Sequence, residues 1–381
     1  MTRLAKWDGQ PIVVIAPDKF RGSLSARQVA YHLDRGLRVT RRAIRTRLVP
    51  LADGGEGVLD VLAPFGFAIV PALAHGPDGQ VVQSAIAVNA DTVVVELARA
   101  SGLGLPSAQP LSPLAASSRG TGDLLAAALD CGAGRIILGV GGSACTDGGA
   151  GMLAALGARI YDESGDELAD GGGSLSRVAG IDLSGLDPRF VTVELVVAAD
   201  VTNPLTGPGG AAQVYSPQKG AGFEEVSLLE AGIERWATVT KEATGTDFSG
   251  VPGAGAAGGV AFAALGYLGA TIRRGVEVVM DLVAFPDRLN GATLVITGEG
   301  TLDSQSLRGK VPAGVARTAR AAGVPTVAVV GRSSLEQNDV ELAGIECVYA
   351  LTDIESDLER CMTDAGRLVE QAAHAVAVDQ L

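Results

Sequence analysis

Five segments of the chain place a carboxylate just past a β-branched run. Asp18 and Lys19 follow "IVVIAP", and Asp53 and Glu56 follow "LVPLA". Asp147 follows "IILGV", Asp200 and Asn203 follow "LVVAA", and Glu299 and Asp303 follow "LVIT". One such acid is an ordinary turn residue or helix cap. Five at equivalent places argue for shared chemistry. Carboxylates that converge repel one another and lose solvation when enclosed, a cost that a bound cation offsets. The hard cation that suits oxygen ligands around phosphate is Mg2+.

Lysine usage adds to this. Lys and Arg together number 30, yet only Lys6, Lys19, Lys219, Lys241 and Lys310 are lysine. Three of them lie in "PDKFRGS", "SPQKGAG" and "LRGKVPAG". A compact ammonium is the cation suited to phosphate oxygens. Glycine supplies the complement. "GVGGSACTDGG" (139–149) and "PGAGAAGG" (252–259) would let backbone N–H groups approach an anion, each ahead of a helix-like run.

A competing reading exists for the first of these loops. Gly139, Gly141 and Ala144 match G-x-G-x-x-A after a strand, and Asp162 lies 23 residues beyond Gly139. That is the spacing of a dinucleotide fingerprint, and it would make the protein a nicotinamide-dependent oxidoreductase. Against it, Asp147 sits where the pyrophosphate would lie, and the motif appears in mid-chain.

The elements that must position these residues alternate. "PIVVIAPDKF", "DTVVVELA", "RIILGV", "VELVVAAD", "ATLVITGEG" and "VPTVAVVG" read as strands. "RLVPLADGGEGVLDVLAPF" reads as strand, acidic Gly-rich loop and helix. Ser25 with Gln28 forms a capping box ahead of a helix whose Ala30, Leu33 and Leu37 share one face. Strands alternating with helices argue a parallel sheet covered on both faces, an α/β fold. In open sheets of that kind, ligands bind outside the carboxyl ends of the strands, where the acids fall.

Composition excludes several functions. The chain has 381 residues, 47% hydrophobic and 4% aromatic, enough for two or three domains with an aliphatic core. A net charge of −13 argues against nucleic acid, whose binding rests on cationic contacts. Cys131, Cys145, Cys347 and Cys361 form no CxxC pair, which argues for reduced cytoplasmic thiols over zinc or disulfides. "MTRLAKWDGQP" lacks an apolar signal core. Val251–Ile272 is uncharged, but its glycines argue for a buried loop and helix, not a membrane span.

Taken together, these motifs resemble the glycerate kinase family, of the bacterial type that includes glycerate 2-kinases. The resemblance runs nearly end to end through "IAPDKFRGSLSA", "PLADGGEG", "LGVGGSACTDGGAGMLAALGA", "ADVTNPLTGPGGAA", "SPQKGA", "PGAGAAGG", "TGEGTLDSQSLRGKVPAGVA" and "VAVVG". Thr146 stands where that family usually has Asn. The resemblance implies ATP-dependent phosphorylation of D-glycerate, favouring 2-phosphoglycerate over 3-phosphoglycerate. It also implies a Rossmann-like parallel-sheet domain, residues 1–75 plus 276–381, with a second α/β domain, 76–275, inserted into it. The site would be the cleft between them. On that basis Asp200, Glu299 and Asp303 are the expected Mg2+ ligands. Lys19 and Lys310 would stabilise the γ-phosphate or the substrate carboxylate, and Asp53 or Asp147 would act as base. Arg21, Ser23 and Asn203 are expected at the substrate. ATP phosphates are expected on Gly139, Gly141, Gly142 and Ser143, or on Gly253, Gly255 and Gly258.

Overall fold

The computed structural model describes residues 10–40, 43–107 and 110–381. Lys6, with the rest of 1–9, and residues 41–42 and 108–109 lie outside the described residues. Contacts divide the chain into two compact units: Met1–Asp53 with Val276–Leu381, and Gly54–Gly275.

The terminal unit is built on five parallel strands. Ile12–Pro17 pairs with Arg45–Leu48 on one side and Leu294–Gly298 on the other; Thr326–Val330 and Cys347–Ala350 follow outward. Numbered along the chain, that order is 2-1-3-4-5, one of the two common doubly wound patterns. Its strand order reverses between Ile12–Pro17 and Leu294–Gly298. A strand in such a sheet is covered on both faces, so it reads as a continuous apolar run. Val13, Val14, Ile15 and Ala16 are all fully buried, as are Val295 and Ile296. The capping box at Ser25 forms in both directions: Ser25 N donates to Gln28 Oε1 at 2.9 Å, and Gln28 N donates to Ser25 Oγ at 3.3 Å. The helix Ala26–Thr40 that it opens buries Val29, Ala30, Leu33 and Leu37 together with Leu368, Val369 and Val376 of the helix Ala365–Gln380.

The middle unit carries a mixed six-stranded sheet. Its order is Thr271–Arg273, Glu194–Ala198, Arg135–Gly139, Thr92–Glu96, Val81–Asn89, Ala68–His75. The first four are mutually parallel, and the last two form an antiparallel hairpin at one edge. That hairpin moves a boundary. Residues 54–75, grouped with the terminal segments on sequence grounds, cluster instead with the middle of the chain. Ala68–His75 pairs along its whole length with Val81–Asn89, which ties it to this sheet.

The uncharged stretch Val251–Ile272 is a loop, the nine-residue helix Val260–Leu268 and part of an edge strand. Its helix is buried through Val260, Phe262, Ala264 and Leu268 in the core of the middle unit. Among the described residues no helix is long and apolar enough to cross a membrane.

Candidate active site

Strand register brings two acids of the terminal unit together, and a backbone hydrogen bond draws a third alongside. Pro17 pairs with Gly298, so Asp18 and Glu299 are the next residues on adjacent parallel strands. The ladder continues past the strand ends: Asp18 N donates to Gly298 O at 2.8 Å, and Leu51 N donates to Pro17 O at 2.9 Å. The second contact draws the segment leading to Asp53 alongside. All three acids therefore cluster where the strand order reverses, the place where open α/β sheets bind ligands.

Their electrostatics confirm the proximity. Burial raises the Asp18 carboxyl well above the usual range, with Asp53 next in effect and Glu299 adding to it. The backbone N–H of Lys19, 2.6 Å from Asp18 Oδ1, and the Lys19 ammonium oppose that rise. Burial pushes Glu299 up to about 7, with Asp303 and Asp53 contributing and the Ser306 hydroxyl and Lys310 opposing. Glu299 is 7% exposed, and its Oε1 is buried with no hydrogen-bond partner. Asp303 behaves otherwise. Burial would raise it, but the N–H groups of Ser306 and Gln305, together with Lys310, outweigh burial and lower it. Its Oδ1 accepts from Gln305 N at 2.8 Å and Ser306 N at 3.1 Å, closing the turn before Ser306–Arg308. Lys310 follows at the start of the helix Val311–Ala321. Arg21 is exposed and Ser23 half-buried on a tight turn in which Phe20 and Leu24 exchange backbone hydrogen bonds.

The expected metal set is divided between the two units. Glu299 and Asp303 belong to the terminal unit and Asp200 to the middle one. Among the described residues, no three of His, Cys, Asp and Glu are gathered so as to hold an ion by themselves. The donor chemistry nonetheless fits Mg2+. That ion retains waters and is held by one or two carboxylates together with substrate phosphates, not by a complete protein cage. Glu299 Oε1, buried and unsatisfied between other acids, is the kind of oxygen that such an ion would stabilise.

The middle unit uses its expected residues differently. Asp147 is fully enclosed. Its Oδ2 accepts from Ser118 N (2.7 Å), Ser118 Oγ (2.8 Å) and Gly151 N (3.2 Å), and its Oδ1 accepts from Gly149 N (3.1 Å). Burial raises this carboxyl and those donors oppose the rise. Four donors make Asp147 a brace of the glycine-rich loop. Asn203 is likewise committed: Nδ2 donates to Gly209 O at 2.8 Å, and Oδ1 accepts from Tyr215 Oη at 2.6 Å. Asp200 Oδ1 accepts from Gly275 N at 2.9 Å.

Several of the glycines serve close backbone packing. A Cβ on Gly139 would stand 2.2 Å from Gly54 O. Gly258 has φ +65°, and a Cβ there would stand 2.2 Å from Cys145 O. The two glycine-rich loops pack on each other, with Gly148 N donating to Gly258 O at 2.9 Å. Gly253, Gly255 and Gly258 are buried, whereas Gly141 is half-buried and Gly142 exposed beside the buried Ser143. The dinucleotide reading fails on topology. After the loop, the chain forms the six-residue helix Ala150–Ala155 and then Arg159–Asp162, which pairs antiparallel with Val178–Asp182 in a separate ribbon. A dinucleotide fold needs that strand in the same parallel sheet. Asp162 Oδ1 caps a turn through Ser164 N and Asp166 N.

Sequence reasoning missed Glu96. It ends the strand Thr92–Glu96 opposite Gly139 and is 2% exposed. Oε1 accepts from Gly57 N at 2.9 Å and Oε2 from Leu59 N at 3.3 Å, which fixes the end of the "ADGGEG" loop. The acid-at-strand-end rule would have found it, since Glu96 follows "TVVV" directly.

A doubly wound sheet with acids and lysines at its switch point is an α/β architecture of the kind that binds ligands at the carboxyl ends of its strands. Comparison with known proteins narrows that class. The model of the glycerate kinase family matches residues 13–380. The chain is 42% identical to a glycerate kinase of Bacillus subtilis (strain 168), covering 96% of each chain. It is 41% identical to a glycerate 2-kinase of Escherichia coli (strain K12), covering 96% of this chain and 97% of that one. A crystal structure named for glycerate kinase 2 of Salmonella typhimurium LT2 superposes with a TM-score of 0.83 at 39% identity, covering 97% and 98% of the two chains. The chain belongs to the glycerate kinase family, and it is a kinase.

Proposed function

We propose that the protein transfers the γ-phosphoryl group of ATP to D-glycerate with the help of Mg2+, forming 2-phosphoglycerate. The observation that carries this reading is the cluster of Asp18, Asp53, Glu299 and Asp303 with Lys19 and Lys310, coupled electrostatically within one unit. Phosphoryl transfer needs charge neutralised and groups aligned more than it needs covalent catalysis.

Asp53 takes the hydroxyl proton of glycerate as the oxygen bonds to the γ-phosphorus and the bond to the β,γ-bridging oxygen breaks, releasing ADP. Asp53 takes this role in preference to Asp147, whose oxygens are held by four donors. Lys19 and Lys310 neutralise the charge on the transferred group. Arg21 offers the planar, bidentate cation that a carboxylate wants, with the Ser23 hydroxyl on the same turn. Glu299 and Asp303 would hold Mg2+, which supplies positive charge to the phosphates when bound. Gly141 and Gly142 are the accessible part of the glycine-rich loop and, with the adjoining Ser143, suit ATP phosphates. Asp200, Asn203 and the remaining glycines act by holding their loops. Four free cysteines suit a reducing, cytoplasmic setting.

The test is product chemistry. Incubation with D-glycerate, ATP and Mg2+ should release ADP, and phosphorus NMR should place the new ester on the 2-hydroxyl. An ester on the 3-hydroxyl would overturn the regiochemistry, and absence of ADP would overturn the reaction.

A further inference from the structure

We propose that Lys219 is a binding residue for an oxyanion of the reaction, a phosphate of ATP or the carboxylate of glycerate, at the glycine-rich loop. This rests on the kinase reading above. Lys219 ends the short turn Pro217–Lys219 and is 6% exposed. Its Nζ donates to Ser143 Oγ at 2.9 Å and to Cys145 O at 2.5 Å. An ammonium has three N–H donors, and these two contacts use two of them.

What it lacks is a counter-charge in direct contact. Among the described residues Lys219 forms no salt bridge. Burial lowers the Lys219 amine, and the nearby Asp147, which opposes that fall, is itself held by Ser118, Gly149 and Gly151. Buried charges are ordinarily paired, because an unpaired one is strongly unfavourable. A lysine needed only to brace the loop could be replaced by a neutral donor. A buried lysine with no ion pair in contact points to a missing negative partner.

The surroundings suit that partner. Ser143 accepts from Lys219, which leaves its own O–H to donate. Gly141 and Gly142 adjoin it and are the accessible part of the loop. The remaining lysine N–H, the serine O–H and nearby backbone N–H groups make a donor set for an oxyanion. The choice of lysine in a chain with only five lysines fits a compact cation for one recessed anion.

The test uses the full chain and Lys219→Gln, which removes the charge and keeps a neutral donor. Thermal stabilisation by ATP and by D-glycerate is measured separately, alongside KM and kcat. Loss of the ATP shift with a rise in KM for ATP of about 10- to 100-fold identifies a phosphate. The same loss confined to glycerate identifies the carboxylate. Unchanged shifts and KM values for both would overturn the proposal and leave Lys219 a brace. Should Lys219→Gln fail to fold, 15Nζ NMR of the wild type decides instead. The buried ammonium signal must move on adding ATP or glycerate, and a signal unmoved by both overturns the proposal. If the wild type releases no ADP, the kinase reading fails separately, and inorganic phosphate in the same thermal assay still decides Lys219.

Discussion

Above pH 7 Glu299 carries a charge inside the protein that burial disfavours first of all, because its carboxyl is pushed up to about 7 from an ordinary 4.5. Between those values the folded chain holds a proton that the unfolded chain has released. Stability linked to this group is therefore complete below about 4.5 and is lost as pH rises through about 7. Glu299→Gln, permanently neutral, should exceed the wild type by about 2–3 kcal/mol at pH 8 in EDTA, and the gain should vanish below about pH 4.5. Urea melts at both pH values check this. Asp147→Asn should do the opposite. An amide NH2 would face N–H and O–H donors in a closed site, costing about 2–4 kcal/mol at neutral pH by the same melts. Both acids follow a β-branched run in the sequence, and nothing there separates them. Asp147 is enclosed because Ser118, 29 residues earlier, folds back onto it, and pairing across that distance is not written locally. Glu299 meets Asp18 through the register of strands from opposite ends of the chain, a pairing no more local.

The elements that could be read ahead were those with strong local signals. The capping box at Ser25, the helix it opens and the buried β-branched strands all form where periodicity places them. Ser25→Ala should lower stability by about 1 kcal/mol and leave kcat unchanged, seen by thermal melts and steady-state assay. The hairpin Ala68–His75 with Val81–Asn89 was not legible. Pro71 interrupts its outer strand, and Ile69 and Leu73 are exposed at an open sheet edge, so no clean alternation marks it. The glycine-rich loops were visible as loops, but their chief physical use was not. Gly139, Gly255 and Gly258, among those expected at phosphate, pack closely on neighbouring backbone. Gly258→Ala would combine a left-handed φ with a Cβ 2.2 Å from Cys145 O. It should destabilise the middle unit by more than about 2 kcal/mol in a urea melt.

For the molecule as a whole, the α/β class followed from alternating strands and helices, while the division into units came from the resemblance and differs in its first boundary. The terminal unit draws strands from both ends of the chain, Ile12–Pro17 and Arg45–Leu48 with Leu294–Gly298 and beyond. Only that discontinuous pairing creates the strand-order reversal at which Asp18 and Glu299 meet. The account stands on those acids performing glycerate-dependent phosphoryl transfer. Its most direct test is the rate of glycerate-dependent ADP release by Glu299→Gln, once its melt has confirmed folding, against the wild type. The account predicts active wild type and a fall in kcat of about 100-fold or more in the variant. A folded variant turning over within about twofold of the wild type would contradict it.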